Sequence, residues 1–208
     1  MVISAPVDSD LLNAENWTKT NHLMYDSTYL DGKFGAWLEG NVVGGIKGKM
    51  YDVLRVDVPT GSQEYAALVE INENGKSVTF DKSKGFVEFA GGSKKFTIRY
   101  DDKTKLYWTF SNIVLPEYKN MNPSGVRNTL ALRSSFDLKT WITNMIVLQH
   151  PDPLLHAFQY VDWVFDREDI IFLSRTAYDD KTGGAKNAHN ANYLTFHRIS
   201  NFRDNVKL

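Results

Sequence analysis

No cysteine occurs in the 208 residues, which rules out a disulfide framework, a thiolate metal site and a cysteine nucleophile. An excess of either charge is missing too: 24 Lys+Arg stand against 25 Asp+Glu, a formal net charge of -1. That balance supplies no basic field for a phosphate backbone, so nucleic acid is not an expected partner. No apolar stretch reaches the length of a membrane crossing, and Met1-Val2-Ile3-Ser4-Ala5-Pro6 lacks the basic and apolar regions of an export signal. The expectation is a chain with no membrane partner, any export signal belonging to a longer precursor. Histidine is sparse as well, and His150, His156, His189 and His197 show no metal-binding spacing. No metal and no cofactor are expected.

What the chain does hold is aromatic residues, 12 Phe, 10 Tyr and 5 Trp. They suit sheet packing and equally suit platforms on which sugar rings stack. Helical periodicity is scarce, whereas alternating or β-branched runs predict strands over 36–43, 50–58, 65–71, 96–100, 106–112, 128–133, 141–148, 158–165, 170–175 and 192–199. Turn signals separate them, among them Asp31-Gly32, Gly44-Gly45, Asn74-Gly75, Gly91-Gly92 and Gly183-Gly184. Many short strands at regular spacing indicate an antiparallel sandwich, barrel or propeller.

An internal repeat decides among these. Ser135-Phe136-Asp137-Leu138-Lys139-Thr140-Trp141 is a polar turn with an Asp placed to accept turn amides, closed by an aromatic that opens a strand. Asn72-Glu73-Asn74-Gly75-Lys76-Ser77-Val78-Thr79-Phe80 repeats the logic, and Asp8-Ser9-Asp10-Leu11-Leu12 leading to Trp17 does so more loosely. Trp17, Phe80 and Trp141 lie 63 and 61 residues apart, a period that marks propeller blades. The fold expected is therefore an all-β propeller segment spanning 1–208, with about three four-stranded antiparallel blades at 23–90, 91–150 and 151–208. Residues 1–22 would give a strand completing a neighbouring blade. The repeated turns stabilise blades and do no chemistry.

These turns resemble the Asp box (BNR repeat) of sialidases, a Ser-x-Asp-x-Gly-x-Thr-Trp pattern between the outer strands of propeller blades. The third copy is one residue shorter between Asp137 and Trp141 and also resembles the turns of five-bladed furanosidases and mannoside phosphorylases. His156 to Trp163, Ser174 to Asp180 and Ala188 to Tyr193 are similar to the last blade of bacterial sialidase-like proteins. The resemblance implies blades of a five- or six-bladed ring, a glycoside hydrolase acting on terminal sugars of glycans, and a carbohydrate substrate. It implies a secreted or periplasmic full-length parent. Three blades do not close such a ring, so the chain is expected either to be part of a longer protein or to close the ring as a homodimer.

Ligands of propellers bind where the inner strands converge, so polar residues set in apolar inner strands are the candidates. Glu39, in Trp37-Leu38-Glu39-Gly40-Asn41, would suit an enclosed general acid or a structural clamp. Arg55, Arg127 and Arg175, one in each expected blade, would anchor a substrate carboxylate as the three arginines of sialidases do, or form blade-linking salt bridges. Tyr160 and Asp162 stand two apart in Gln159-Tyr160-Val161-Asp162-Trp163 and would share one strand face, a tyrosine nucleophile helped by a carboxylate in the resemblance. Gln159 is a further substrate-binding candidate, although strand alternation would turn it the other way. His189 and Asn190, in a loop rich in Gly and Asn, would hydrogen-bond sugar hydroxyls, with calcium at Asp179-Asp180 a weaker alternative. A glycan-binding propeller without catalysis is the competing reading, favoured if Glu39 and Asp162 share no pocket.

Overall fold

The computed structural model describes residues 1–45, 48–59 and 63–207. Its strands are β1 (Ile3–Ser4), β2 (Thr18–Lys19), β3 (Ala36–Gly44), β4 (Met50–Asp57), β5 (Tyr65–Ile71), β6 (Val78–Thr79), β7 (Phe86–Glu88), β8 (Thr97–Asp101), β9 (Leu106–Asn112), β10 (Thr129–Ser135), β11 (Ile142–Gln149), β12 (Ala157–Asp166), β13 (Asp169–Ala177) and β14 (Tyr193–Ile199). Only short 3-10 turns accompany them among the described residues. Among the described residues every ladder is antiparallel and, apart from β5 with β7, links sequence neighbours, giving three successive meandering sheets, β3 to β7, β8 to β11 and β12 to β14, and a separate β1–β2 pair. This is a partial β-propeller.

The middle blade has the expected four strands. In the first, the fourth strand is split: β6 pairs with one end of β5 and β7 with the other. The break is the Asp81–Gly85 turn, where Asp81 Oδ1 accepts the Ser83 amide at 2.9 Å. The third blade has three strands. Residues 1–22 form a two-residue ladder of their own, Ile3 opposite Lys19 and Ser4 opposite Thr18.

All three repeated turns join consecutive paired strands, β1 to β2, β5 to β6 and β10 to β11. In the third, Asp137 Oδ1 accepts the Lys139 and Thr140 amides at 2.8 and 2.7 Å, and these bonds outweigh burial in lowering the Asp137 pKa. The Trp141 indole donates to Leu138 O at 3.1 Å and its ring meets Phe89 edge-on. Trp17 repeats the device, donating to Leu11 O at 3.0 Å. In the middle copy Asn74 Oδ1 accepts the Lys76 amide at 2.9 Å, and Phe80 joins Tyr29, Trp37 and Phe86 in an aromatic cluster.

The blades are held by apolar faces. Val43, Val53, Ala66 and Leu68 of the first pack on Phe96, Ile98 and Tyr107 of the second. Trp108, Phe110, Leu130 and Leu132 of the second pack on Val161, Trp163 and Phe172 of the third. Each such side chain contributes roughly 1.5–3 kcal/mol when fully buried. Sandwiched on both faces, β9 and β10 are buried almost throughout, so that their polar residues, Thr109, Ser111, Asn112, Thr129, Arg133, Ser134 and Ser135, are buried along with the apolar ones. On the other face of the third sheet Val164, Leu173 and Phe196 are exposed.

One carboxylate is placed against this packing. Asp52 of β4 is buried beside Gly40, where any Cβ would meet its Oδ1 at 1.9 Å. Burial raises the Asp52 pKa. The unfolded chain therefore releases this proton at lower pH than the native protein does, so stability declines as pH climbs from the ordinary carboxylate value through the raised one. Asp52→Asn is expected to remove that decline and to raise Tm at neutral pH, measured by thermal unfolding at a series of pH values.

Candidate functional site

The inner strands β3, β8 and β12 lie side by side. Asn41 Oδ1 accepts the Ile98 amide at 2.5 Å, and the Trp163 indole donates to Thr97 O at 2.9 Å. Where these strands begin, β4 and β13 end and the loops leading into β5 and β10 arrive, because each ladder is antiparallel. A polar cluster fills this end.

Arg127, just ahead of β10, is buried and donates through Nη1 to Gln159 Oε1 at 2.6 Å and through Nε to Ser124 O at 3.0 Å. Gln159 Nε2 in turn donates to Ala188 O and His189 O at 2.7 and 3.1 Å. Arg175 Nη2 donates to the same His189 carbonyl at 2.7 Å. The Tyr160 ring carries the Arg127 guanidinium 5.6 Å and the Arg175 guanidinium 5.0 Å from its centroid, with the His189 ring edge-on at 6.3 Å. Burial pulls the Arg127 pKa down and the nearby Arg55 and Arg175 charges add to it, against the opposing pull of Tyr160. Asn190 caps the same loop, its amide donating to Asn187 Oδ1 at 2.8 Å.

Arg55 enters from β4. Its Nη1 pairs with Glu39 Oε2 at 2.5 Å and its Nη2 donates to Ser93 O at 2.7 Å. Glu39 is not enclosed, as a tuned general acid would be: its side chain is 57% exposed and tied to Arg55. Beneath lies a pair that the sequence did not single out. Lys94, 1% exposed, pairs with the buried Glu64 at 2.8 Å and donates to Pro123 O at 2.7 Å. Glu64 also accepts the Gly91 amide at 2.8 Å and the Ser93 hydroxyl. The signal for this pair was slight, two charges standing directly ahead of strands.

The structure thus brings Arg127, Gln159, Tyr160, Arg175 and His189 together, with Arg55 and Glu39 adjoining, and separates Asp162 from them. Tyr160 and Asp162 do not share a face. Gln159 is opposite Arg175 and Asp162 opposite Leu173, so β12 carries one extra residue, and Tyr160 takes up the bulge at a φ of 52°. It is Gln159, not Tyr160, that shares the Asp162 face. Asp162 is 73% exposed and pairs with Arg99 at 3.2 Å. In the Asp179–Asp180 loop, Asp180 accepts the Thr182 and Gly184 amides at 2.7 and 3.0 Å, and Asp179 lies 3.4 Å from His156 Nε2. Asp180 is thus held within the loop, while Asp179 stays 73% exposed.

The charge balance of the cluster is uneven. Arg55 and Lys94 are neutralised by Glu39 and Glu64, while Arg127 and Arg175 have no carboxylate within ion-pair distance among the described residues. Two guanidiniums without a carboxylate partner thus flank one tyrosine ring.

No family model and no curated protein matches the chain. Among solved structures, an alpha-L-arabinanase of Penicillium chrysogenum complexed with arabinobiose superposes with a TM-score of 0.52 at 11% identity, over 84% of this chain and 48% of its own. An alpha-L-arabinofuranosidase from Fusarium graminearum in complex with an iminosugar inhibitor gives 0.47 at 9% identity, over 84% and 50%. A GH43 endo-arabinanase from Bacillus licheniformis gives 0.41 at 11%, over 76% and 55%. The first of these carries the likeness of fold. The chain spans about half the length of the solved structures it matches.

Proposed function

We propose that this chain forms part of a glycoside hydrolase of sialidase-like type, whose axial site receives a terminal sugar of a glycan. The observation that supports this reading is Tyr160, raised on a strand bulge between Arg175 and an Arg127 that is braced by Gln159. In this reading the two guanidiniums hold an acidic group of the sugar, and Glu39, paired with Arg55, acts as a general base rather than as the enclosed acid expected from the sequence. Tyr160 faces the reacting carbon, and His189 and Asn190 meet ring hydroxyls from the loop above. Remaining groups of the site come from blades outside this chain, in a longer polypeptide or a second copy. That the structurally similar Penicillium protein holds arabinobiose makes arabinosides part of the panel to be tried.

The test is turnover of chromogenic sialosides, uronides and arabinosides by the closed ring, whether a longer polypeptide or an assembled dimer, this chain alone being expected to show weak or no activity. Hydrolysis of at least one is expected, with Glu39→Gln lowering kcat roughly a hundredfold or more and Arg175→Ala acting mainly on KM. An unchanged rate in Glu39→Gln removes the acid/base role, and no turnover of any substrate overturns the reading. Binding without turnover would establish a second reading, a glycan-binding propeller. One observation favours it: Glu39 pairs with Arg55 and Asp162 with Arg99, and no contact joins the two carboxylates.

A further inference from the structure

A cavity of about 540 Å³ opens between the first two blades, lined by Glu64, Glu88, Phe89, Arg133, Thr140 and Trp141 among others. Both of its walls belong to blades present in the chain, so its shape does not depend on closing the ring. Glu64 is the wall it shares with the axial cluster, where that carboxylate is already taken by Lys94, Ser93 and Gly91.

Arg133 is the unusual member. It projects from β10, is 6% exposed, and stacks its guanidinium 5.3 Å from the centroid of the Phe89 ring. Nη1 donates to Ala90 O and Nη2 to Trp141 O, both at 3.1 Å, while Nε has no acceptor. Arginine offers five N–H groups in a planar fork, so most remain unmet. No carboxylate lies within ion-pair distance of Arg133 among the described residues, a lack it shares with Arg127, whereas the buried cations Lys94 and Arg55 each have one. A buried charge without an ion-paired counterion is costly, and burial pulls the Arg133 pKa down to about 10 although the Glu64 charge across the cavity opposes it. The two backbone carbonyls orient the fork without neutralising it.

The rest of the lining is suited to a sugar. Trp141 offers apolar ring surface backed by the buried Phe89, Glu88 is an exposed carboxylate with no ion pair among the described residues, and Thr140 adds a hydroxyl. Lys139, exposed at the rim, adds a second cation.

We propose that this inter-blade cavity is a binding site for a sugar bearing a carboxylate, its acid group neutralising Arg133 and its ring lying along Trp141. The site is separate from any reaction at the axis, and its test reads binding rather than turnover. D-glucuronate is titrated into isotope-labelled protein, with D-glucose and acetate as controls, following the Arg133 Nε–H and Trp141 indole resonances by NMR. Glucuronate is expected to shift both saturably, with a Kd in the millimolar range or tighter, and glucose and acetate to shift them far less. Arg133→Gln should abolish the response. Lys139→Glu, on the exposed rim and without consequence for folding, should weaken it at least about fivefold, a rim-charge effect. The proposal is overturned by the absence of a saturable shift, by glucose or acetate matching glucuronate, or by Lys139→Glu leaving the affinity unchanged.

Discussion

Lys94→Ala is expected to destabilise the protein by about 3–5 kcal/mol, because it leaves the Glu64 carboxylate charged and without its counterion in the interior. Lys94 and Glu64 are 1% and 4% exposed at their side chains and 2.8 Å apart. Burial pulls the Lys94 pKa down while Glu64 pushes it back up. For a protein of this length the loss corresponds to a fall in Tm of roughly 10 °C, read by calorimetry. Lys94→Met combined with Glu64→Gln should recover much of it, since replacing both members of a buried pair removes the unpaired charge. Equal losses in the single and double variants would sink the assignment. Recovery of stability need not restore the axial site. Lys94 holds Pro123 O, and the turn that follows supplies Ser124 O to Arg127 Nε. Lys94 is thus a positioning residue for Arg127, and the double variant is expected to fold yet bind a carboxylate ligand more weakly at the axis.

The contrast between this pair and the rest of the site shows what the sequence discloses. All ten long strands were legible because each is an apolar or β-branched run closed by turn residues. β6 and β7 escaped, being two- and three-residue halves of one strand split by the Asp81–Gly85 turn. Arg55, Arg127, Arg175 and Gln159 were legible because a polar side chain inside an apolar run needs a reason. Glu64 and Lys94 were not, since charges flanking a strand look solvated. They are buried because Gly91, at a φ of 95°, and Gly92 bring the chain back over β5, where a Cβ on Gly92 would meet Tyr65 O at 2.1 Å. The β12 bulge left no trace either. Gln-Tyr-Val-Asp-Trp alternates as a regular strand does, and the extra residue is set by what surrounds it, Arg127 and Arg175 around Tyr160 on one side and Arg99 beside Asp162 on the other.

A second large effect is expected at the other end of the blades, where the last turn of the chain is fastened to the middle sheet. Arg203 grips Asp101 with two bonds, Nε to Oδ2 at 2.9 Å and Nη2 to Oδ1 at 2.8 Å, while its guanidinium lies 4.4 Å from the Phe202 ring centroid. Thr104 adds its amide at 3.2 Å and its hydroxyl at 2.8 Å to the same carboxylate. Burial raises the Asp101 pKa, but Arg203 and Thr104 outweigh it and hold the group at about 2. The native protein thus keeps this carboxylate charged at pH values where the unfolded chain, with a carboxyl near its ordinary value of 3.8, takes up a proton. The resulting stabilisation, on the order of 2 kcal/mol, is full above the unfolded value and disappears as pH falls through about 2. Asp101→Asn should therefore lose about 2–3 kcal/mol at neutral pH, the linkage energy with little added penalty because Arg203 keeps its pair with Glu168 at 3.0 Å. The gap between the variant and the parent should close as the solution is acidified. Denaturant unfolding at a series of pH values measures both, and a gap that stays constant into the acid range would show that the carboxylate's charge is not what fastens Arg203.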